Sequence, residues 1–488
     1  MTKAAGRKKI MLVAPPRQSG LPEVVGRWMP LNLVYLAGAA REAGVVAEIY
    51  DAMTLDHGYQ QIERQLREAG ADYLATGAVT ATINDALKLL ETAKRVNPET
   101  VTVLGGVHAS FMYREILAAK SAVDYIVIGE GESTLRQLLH VLERAGDPAA
   151  VPGLAYRRGE SLVVTPVADP VADLDALPAA WDLLDWGQYS YFLVPESRFA
   201  TVSTSRGCRP GRIFCAQHEF WGKRWRARDP RKVADEMAHL YGTYQVNVFL
   251  IADEDPTRDP GRFEALLDEL IARELPVHLI MESRASDIVR DKEIFWKYCK
   301  AGVIHVSLGA EAADRQSLEQ IGVEPTAGPV KQALDIMQAH GVVGEASFLV
   351  GFPDETAASV KATLKLAQHY NPDSANFFAV TPWPYAGIDA EIKPLTGERD
   401  YARYNLVDPV VEPRQMSLRQ VEAALAECYR KFYMGKIVEL LTMKDCFRRR
   451  YLVRATKLIM SSAFVMRKLA LGTSGSAAAK DEGAAPNR

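Results

Sequence analysis

The chain has 488 residues, a length that predicts about three domains, each large enough to bury a core of its own. Hydrophobic residues make up 48% of it and charged residues 24%, which excludes a disordered, collagen-like or fibrous protein. A net charge of -3, from 58 basic and 61 acidic residues, excludes a general attraction to nucleic acid. The five cysteines are too few for a disulfide framework, so we expect a cytoplasmic protein.

Residues 1–150 alternate short apolar runs with amphipathic stretches, a pattern typical of strand-helix units. Five apolar runs occur, at residues 10–14, 46–52, 72–79, 101–106 and 124–132. They predict a doubly wound, flavodoxin-like α/β domain with a parallel sheet. Ligands of such sheets bind at the carboxyl ends of the strands. The candidate ligand-binding residues at these ends are Pro15, Asp51, Thr80, Gly105, Gly106, His108, Gly129, Glu130 and Gly131.

The remaining segments differ from one another in pattern. Residues 151–195 are rich in proline and aspartate and include a hairpin-like stretch, so we expect a linker. Residues 196–390 contain six further strand-helix units, which predict a barrel or partial barrel with its chemistry at the carboxyl ends of the strands. Residues 391–471 are predicted to be helical, and residues 472–488 to be disordered.

Membrane contact is predicted to be peripheral at most. No apolar stretch approaches the roughly 20 residues of a membrane-spanning helix. Between Tyr429 and Gly472 there are 11 lysines and arginines against two acidic residues. These basic helices could lie against an anionic membrane, although a solvated face that covers the barrel is the simpler interpretation.

Two cysteines, Cys208 and Cys215, lie in a loop directly after the first strand of the second series. The loop also carries several basic residues, and Phe214 precedes the second cysteine. Thiolates are soft, charged ligands that suit iron, so the loop is a candidate cofactor site. Taken alone, the pair is equally consistent with two unrelated loop cysteines.

The loop resembles the cluster loop of the radical S-adenosylmethionine (SAM) enzymes, in which three cysteines spaced Cys-x-x-x-Cys-x-x-Cys hold a four-iron four-sulfur cluster. The resemblance implies that Cys208 and Cys215 are ligands and that Phe214 belongs to the SAM site, whereas Arg212 occupies the position of the middle cysteine. A guanidinium cannot ligate iron. Three explanations stay open: the chain binds the cluster poorly, the sequence is altered here, or another side chain such as His218 substitutes.

The strand ends that follow carry polar residues in the order of the radical SAM family. The resemblance implies that Asp253 and Glu254 bind the SAM amino group and that Arg284 pairs with its carboxylate. It assigns the ribose hydroxyls to Glu311 and the adenine to the backbone at Gly351. Each residue alone has a simpler interpretation as a solvated group at a barrel mouth, but their order along consecutive strands favours the family.

A doubly wound domain ahead of such a barrel is the layout of the cobalamin-binding radical SAM class. The stretches GGVH at residues 105–108 and IGEGE at residues 128–132 resemble signatures of that class, which implies cobalamin at the strand ends named above. The domain lacks the Asp-x-His-x-x-Gly loop by which some cobalamin proteins replace the lower axial ligand. We therefore expect no histidine on the cobalt, and His108 is equally consistent with a loop histidine packed on the sheet.

Within this class, stretches such as FWGKRWRARDPRKVADE, FLIADEDPT and EASFLVGFPDET are most similar to the anaerobic magnesium-protoporphyrin IX monomethyl ester cyclases. The similarity extends from Ile10 to about Leu471. It implies that a SAM-derived radical abstracts hydrogen from a propionate side chain of the tetrapyrrole. Oxidation with water as the oxygen source then closes the isocyclic ring of bacteriochlorophyll, giving divinyl protochlorophyllide. An electron donor of the ferredoxin or flavodoxin type is implied as well.

Aromatic residues near the predicted barrel mouth suit a planar macrocycle, although for each one a place in an aromatic core is as reasonable. The candidates for substrate binding are Trp221, Trp225, Trp383 and Tyr385. Two alternatives to the cyclase stay open. Another cobalamin-dependent radical SAM enzyme, such as a methyltransferase, would share the same motifs. A non-catalytic homologue that binds cobalamin or a tetrapyrrole would also fit, because Arg212 removes a cluster ligand.

Overall fold

The computed structural model describes residues 7–16, 25–119, 122–209, 217–311, 327–385, 392–397 and 400–461. The strands of its N-terminal part are β1 (Lys9–Ala14), β2 (Gly26–Arg27), β3 (Val46–Asp51), β4 (Tyr73–Gly77), β5 (Val101–Gly105), β6 (Tyr125–Val127), β7 (Leu154–Arg158), β8 (Ser161–Val164) and β9 (Ser190–Tyr191). The helices are α1 (Leu31–Glu42), α2 (Tyr59–Ala69), α3 (Ile83–Val96), α4 (Val107–Ala118) and α5 (Gly131–Glu143).

Seven of these strands form one sheet in the order β3-β1-β4-β5-β6-β7-β8. The first five are parallel, as their registers show. Four consecutive residues of β1, at positions 10 to 13, are fully buried because helices cover both faces of the sheet. All five predicted strand-helix units are present, so the prediction of a doubly wound domain is confirmed.

The hairpin of β7 and β8 falls in the segment that was predicted to be a linker, yet it extends this sheet. β7 pairs antiparallel with β6, and β8 pairs antiparallel with β7. β8 is the outer edge strand, and most of its residues are exposed. An edge strand of this kind needs no continuous apolar run, which is why the sequence pattern did not assign it to the sheet.

The second part of the chain forms a parallel sheet covered by helices. Its strands are β10 (Phe199–Val202), β11 (Ser205–Arg206), β12 (Arg226–Ala227), β13 (Val248–Ile251), β14 (His278–Ser283), β15 (Val303–Glu311), β16 (Val343–Val350) and β17 (Ser374–Ala379). Its helices are α6 (Gln217–Phe220), α7 (Pro230–Tyr244), α8 (Pro260–Ala272), α9 (Ala285–Arg290), α10 (Phe295–Lys300), α11 (Ala327–Ala339) and α12 (Ala357–Tyr370).

Six of these strands pair in sequence order, β10-β13-β14-β15-β16-β17, and every pair is parallel. Large side chains such as Phe249, Phe348 and Phe377 form the core between the strands and the surrounding helices. The predicted partial barrel of six units is confirmed. Because the strands are parallel, their carboxyl ends meet on one side of the barrel, where the predicted site residues follow them.

Two helices, α13 (Leu418–Thr442) and α14 (Cys446–Ser461), end the described chain. α13 begins with a capping box formed by Ser417 and Gln420. It buries Val421, Leu425 and Phe432 in the barrel core. The predicted helical segment, residues 391–471, is helical in α13 and α14, whereas its described residues before Leu418 contain only two short 3-10 turns. Within the described ranges, no helix combines the length and the hydropathy that crossing a membrane requires. Residues 472–488, predicted to be disordered, lie outside the described residues.

Candidate active site

The cysteine loop leaves the barrel and returns to it through a two-stranded ribbon. β11 and β12 pair antiparallel, with Arg206 opposite Arg226. Between them, Gly207 has a φ of +97°, and a Cβ at this position would lie 2.0 Å from the carbonyl oxygen of Arg224. Glycine is therefore required there, both by conformation and by space. The ribbon fixes both ends of the loop at one point beside the barrel mouth.

Asp253, two residues after the end of β13, anchors the start of this loop. Its carboxylate accepts hydrogen bonds from the Thr204 amide at 2.7 Å, from the Thr204 hydroxyl and from the Ser205 hydroxyl at 2.8 Å. Burial raises the pKa of Asp253, and these hydrogen bonds lower it. The sequence predicted a contact with the SAM amino group. Since three donors from the loop already use this buried carboxylate, we propose that it positions the loop instead.

Arg209, which follows Cys208, joins the loop to two buried carboxylates. Its Nε and Nη2 donate to Asp255 at 2.8 and 3.1 Å, and its two terminal nitrogens donate to Asp287 at 3.2 and 2.5 Å. Thr257 adds a hydrogen bond of 2.8 Å to Asp287. Paired, charge-assisted bonds of this kind fix direction as well as distance. Sequence reasoning missed this contact, whose one local signal is an arginine beside a candidate ligand, because Asp287 lies 78 residues away.

The candidate cluster ligands are described only in part. Cys208 is half-buried, and Nδ1 of His218 lies 3.3 Å from the Cys208 carbonyl oxygen. Arg212, Phe214 and Cys215 lie outside the described residues. In the ranges that the structure describes, no three His, Cys, Asp or Glu side chains group as a metal site.

This donor set does not match a cluster held by three thiolates. The chain supplies cysteine at the first and third positions of the spacing and arginine at the second. A guanidinium has only N–H donors and no acceptor to offer a metal ion. The residues present are thus one thiolate short of the set that the radical SAM fold implies, and no reaction step is assigned to the cluster from them.

Two charged residues predicted to bind SAM lie at neighbouring strand ends. Glu254, after β13, accepts a hydrogen bond of 2.7 Å from the indole of Trp221. Burial raises the pKa of Glu254, and this hydrogen bond lowers it. Arg284, after β14, has its Nε 3.8 Å from Asp255, and its side chain is 37% exposed. A carboxylate and a guanidinium at neighbouring strand ends could face the amino and carboxylate groups of one amino-acid ligand.

The other residues predicted to bind SAM follow the next strands. Gly351, after β16, has a φ of +99°, and its N–H donates to Glu355 at 3.0 Å. Glu311 is the last residue of β15, and its side chain lies outside the description. The structure therefore brings the predicted residues to one side of the barrel in the predicted order. Their contact with SAM stays a prediction.

In the N-terminal domain, Thr80 and His108 meet a tyrosine from the barrel. The Thr80 hydroxyl lies 3.1 Å from Nδ1 of His108 and 2.9 Å from the hydroxyl of Tyr385. The Tyr385 ring stacks on Phe111 at 4.9 Å between centroids, and the Tyr401 ring meets His108 edge-on. Burial lowers the pKa of His108 to about 4. His108 is thus a neutral, packed side chain at the interface between the two domains.

Glu130, predicted from the sequence as a cobalamin residue, instead joins the N-terminal domain to the ribbon of the cysteine loop. Its carboxylate accepts from Arg206 at 3.0 Å and from Arg226 at 3.1 and 2.5 Å, and the Val171 amide adds a bond of 3.4 Å. Glu132 pairs with the other end of Arg206 at 2.6 Å. These four charged side chains form the clamp, and each is 6% to 13% exposed. Both oxygens of the Glu130 carboxylate therefore already accept hydrogen bonds from the protein.

Two further residues predicted to bind cobalamin are held by internal contacts. Asp51 is 6% exposed and accepts from the Thr54 amide at 3.0 Å and from the Tyr189 hydroxyl at 3.2 Å. Burial raises the pKa of Asp51, and these bonds lower it. The N–H of Gly129 donates to Ser110 at 2.9 Å. These hydrogen bonds within the protein fix the conformation of the loops that follow the strands, and contact of Asp51 and Gly129 with cobalamin stays a prediction.

The same sheet edge nevertheless fits a large, flat cofactor. Leu55 and Val79, which follow β3 and β4, are 39% and 49% exposed, so apolar side chains face solvent at the strand ends. A Cβ at Gly129 would meet no atom within 4 Å, which leaves open space above that backbone. Pro15, half-buried, follows β1. A Cβ at Gly105 would come no closer than 3.9 Å to another atom, whereas at Gly106 and Gly131 it would lie 2.6 Å from the Ala78 backbone and 3.1 Å from Leu36. Internal packing therefore accounts for these two glycines. Apolar contacts and backbone would hold cobalamin here.

The four aromatic residues predicted for substrate all lie on the carboxyl-terminal side of the barrel. Trp221 and Trp225 belong to the cysteine loop, and the indole of Trp225 donates to the Asp255 carbonyl at 3.2 Å. Trp383, after β17, packs against a small apolar cluster. Tyr385 occupies the domain interface described above. Each is engaged by the protein, and their contact with a substrate stays a prediction.

Comparison with known proteins assigns both domains. Residues 20–139 match the family model of the B12 binding domain, and residues 202–367 match that of the Radical SAM superfamily. An anaerobic magnesium-protoporphyrin IX monomethyl ester cyclase from Rubrivivax gelatinosus is 36% identical over 473 residues, 96% of this chain and 85% of the relative. The cyclase of that name from Cereibacter sphaeroides is 35% identical over 96% of this chain and 77% of its own. An uncharacterized methyltransferase from Pyrococcus horikoshii is 30% identical over 90% of this chain and 95% of its own.

Among solved structures, the cobalamin-dependent SAM radical enzyme OxsB shares the fold. It has a TM-score of 0.70 and 16% identity, and the match covers 96% of this chain and 72% of that one. The two family models imply cobalamin, SAM and a four-iron four-sulfur cluster as the cofactors. The chain therefore belongs to the cobalamin-binding radical SAM enzymes, and nearly its whole length is similar in sequence to anaerobic magnesium-protoporphyrin IX monomethyl ester cyclases.

Proposed function

We propose that the protein catalyses the anaerobic oxidative cyclisation of magnesium-protoporphyrin IX monomethyl ester in bacteriochlorophyll biosynthesis. The product would be divinyl protochlorophyllide, with water as the source of the new oxygen. The observation that carries this proposal is the 36% and 35% identity to two cyclases of that name over 96% of the chain. When bound, the cofactors of the family supply the radical and redox chemistry, and the protein supplies orientation and exclusion of competing reactions.

On the SAM side, the residues of this chain would bind and orient. Glu254 and Arg284 lie at adjacent strand ends, so we assign them to the amino and carboxylate groups of SAM. Glu311 is assigned to the ribose and the backbone of Gly351 to the adenine, on the order of the strands alone. Asp253 touches the loop and would act through it, as a positioning residue. Fixed charges of this kind cost no reorganisation when the substrate reacts.

On the substrate side, aromatic faces and cationic edges would receive a planar tetrapyrrole with carboxylates. Four aromatic residues on the carboxyl-terminal side of the barrel support this assignment: Trp221, Trp225, Trp383 and Tyr385. Tyr385 contacts both domains, since it follows β17 and bonds Thr80. A substrate between the two domains would therefore be reached by cofactors on either side, which is the arrangement that the proposed reaction requires.

Product analysis tests the proposal. The reconstituted full chain is incubated without oxygen with the porphyrin monomethyl ester, SAM, cobalamin and a chemical reductant, and the pigments are separated by chromatography. Divinyl protochlorophyllide that carries heavy oxygen from labelled water supports the cyclase. Methylated pigment without ring closure supports the second candidate, a cobalamin-dependent methyltransferase, which the 30% identity to a methyltransferase favours. Replacing the reductant by reduced ferredoxin or flavodoxin tests the proposed electron donor.

Position 212 decides whether the chain as written can be active. Iron and sulfide are counted after anaerobic reconstitution of the natural chain and of Arg212→Cys. Arg224→Cys is a matched control, because it adds a cysteine to the same loop outside the ligand spacing. If only Arg212→Cys holds four irons and cleaves SAM, the cyclase role belongs to the restored variant. The natural chain is then a non-catalytic homologue that binds cobalamin or a tetrapyrrole.

A further inference from the structure

The second half of α13 presents an apolar stripe to solvent. Met434, Ile437, Val438 and Leu441 are 64%, 54%, 70% and 74% exposed. Their spacing of three, one and three residues places them on one face of the helix. They form the largest group of exposed apolar side chains in the part of the chain that the structure describes. A contiguous apolar group of this kind on a protein surface marks a binding surface more often than a single exposed residue does.

Contacts on the opposite face fix the helix so that the stripe points outward. Phe432 is buried in the barrel core. The hydroxyl of Tyr433 accepts from the Ala375 amide at 3.2 Å, and Nζ of Lys436 donates to Asn371 at 2.7 Å. These contacts tie the back of the helix to β17 and to the end of α12. The stripe is therefore outside the core because of where the helix is held.

Cations precede and follow the stripe along the chain. Arg430 lies one turn before Met434 on the same face, and four more exposed basic residues follow the helix. These four are Lys444, Arg449, Arg450 and Lys457. In the described ranges none of the four forms an ion pair with a carboxylate, whereas Lys431 and Lys436 do. From Tyr429 to Gly472 the sequence has 11 lysines and arginines against two acidic residues.

We infer that the stripe and its five flanking cations, here termed the basic apolar face, dock on the surface of an anionic lipid bilayer. Helices that lie in a membrane interface combine an apolar face with lysine and arginine at its borders. Protein interfaces are depleted in lysine, whereas two of the five flanking cations are lysines. Anionic lipid attracts clustered cations of this kind. The inference concerns a surface remote from the barrel mouth and does not rest on the proposed function.

Flotation with vesicles tests this inference on the full chain. One set of vesicles is phosphatidylcholine alone, and the other contains about one third phosphatidylglycerol. The natural chain is expected to float with the anionic vesicles and to bind less at high salt, because salt screens the cations. Val438→Asp/Leu441→Asp is expected to bind at least about tenfold more weakly, since two carboxylates would enter the apolar interface. Val167→Asp is the matched control, because Val167 is 85% exposed and remote from α13 in sequence.

Several outcomes would overturn the inference. Binding to anionic vesicles no stronger than to phosphatidylcholine is one, and equal flotation of the double variant and the control is another. A dimer seen by light scattering that the double variant abolishes would assign the face to a second copy of the chain. Circular dichroism checks that the double variant is folded. Because the tetrapyrrole assay is run without vesicles, a failure of lipid binding and a failure of the cyclase are separate results.

Discussion

Substituting Glu130 by glutamine tests whether the clamp holds the cysteine loop to the N-terminal domain. The side chain keeps its shape and one acceptor, but it loses its charge. In the natural chain two carboxylates face two guanidiniums, and Glu130 contacts Arg206 and Arg226 on the two strands of the ribbon. After the change, Arg206 keeps its ion pair with Glu132, and Arg226 keeps the Val171 carbonyl but loses the carboxylate it pairs with.

The expected cost follows from burial. Removing one partner of a buried ion pair typically costs about 3 to 5 kcal/mol, because it leaves a charge without compensation. The lower value, about 3 kcal/mol, applies here, since Glu132 still pairs with Arg206 and the Val171 carbonyl still accepts from Arg226. For a chain of 488 residues the unfolding entropy is roughly 1 kcal/mol per kelvin, so that loss lowers the melting temperature by about 3 °C.

The assay is urea unfolding followed by tryptophan fluorescence, with Glu219→Gln as the matched control. Glu219 lies in the same loop and pairs with Lys223, but these side chains are 53% and 63% exposed. A surface pair at this spacing contributes about 0.3 to 0.5 kcal/mol. A double-mutant cycle with Arg226→Met then measures the coupling of Glu130 to Arg226 directly. If Glu130→Gln costs no more than the control, or if the cycle gives no coupling, the clamp does not hold the loop and this reasoning is wrong.

Three further predictions concern the N-terminal domain. Burial lowers the pKa of His108 from 6.5 to about 4, so the folded protein binds fewer protons than the unfolded chain between these values. The contribution of His108 to stability is full above about pH 6.5 and falls as the pH drops toward 4, and unfolding measured against pH should lose this dependence in His108→Gln. Gly106→Ala places a Cβ 2.6 Å from a backbone oxygen at a φ of +91°, whereas Gly129→Ala, at +79°, meets nothing within 4 Å. In thermal melts the first should therefore abolish or nearly abolish folding, and the second should cost about 1 to 2 kcal/mol. Tyr385→Phe removes the hydrogen bond to Thr80 and should cost about 1 kcal/mol of unfolding free energy, a loss that a Thr80→Val background would erase.

The sequence predicted the two parallel sheets because buried parallel strands carry their own signal. Residues 10 to 13 of β1 are apolar without interruption, as helices on both faces require. β8 carries no such signal, because it is an edge strand whose residues are mostly exposed and which is held by pairing with β7 alone. Where pairing rather than burial decides the structure, a single sequence says little about a strand.

In the candidate site, too, the positions of residues could be predicted from the sequence, but their contacts could not. Strand order placed Glu254, Arg284 and Gly351 on one side of the barrel, because parallel strands bring their carboxyl ends together. The sequence did not predict which partner each carboxylate would bind. Glu130 finds its partner Arg206 76 residues away, and the motif that contains it is equally suited to a ligand or to an ion pair. Long-range pairing of charges depends on the packing of two domains, which no local pattern encodes.

The way the cysteine loop is anchored separates folding from cofactor loading. The contacts that hold the loop come from Glu130, Asp253 and Asp255, and they reach residues on either side of position 212. An arginine at that position is therefore compatible with an intact barrel, so selection for a stable chain does not protect the iron site. A monodisperse preparation with a sharp melting transition carries no information on redox competence. The visible absorption of the iron-sulfur cluster and the iron content are the measurements that distinguish an active enzyme from an inactive one.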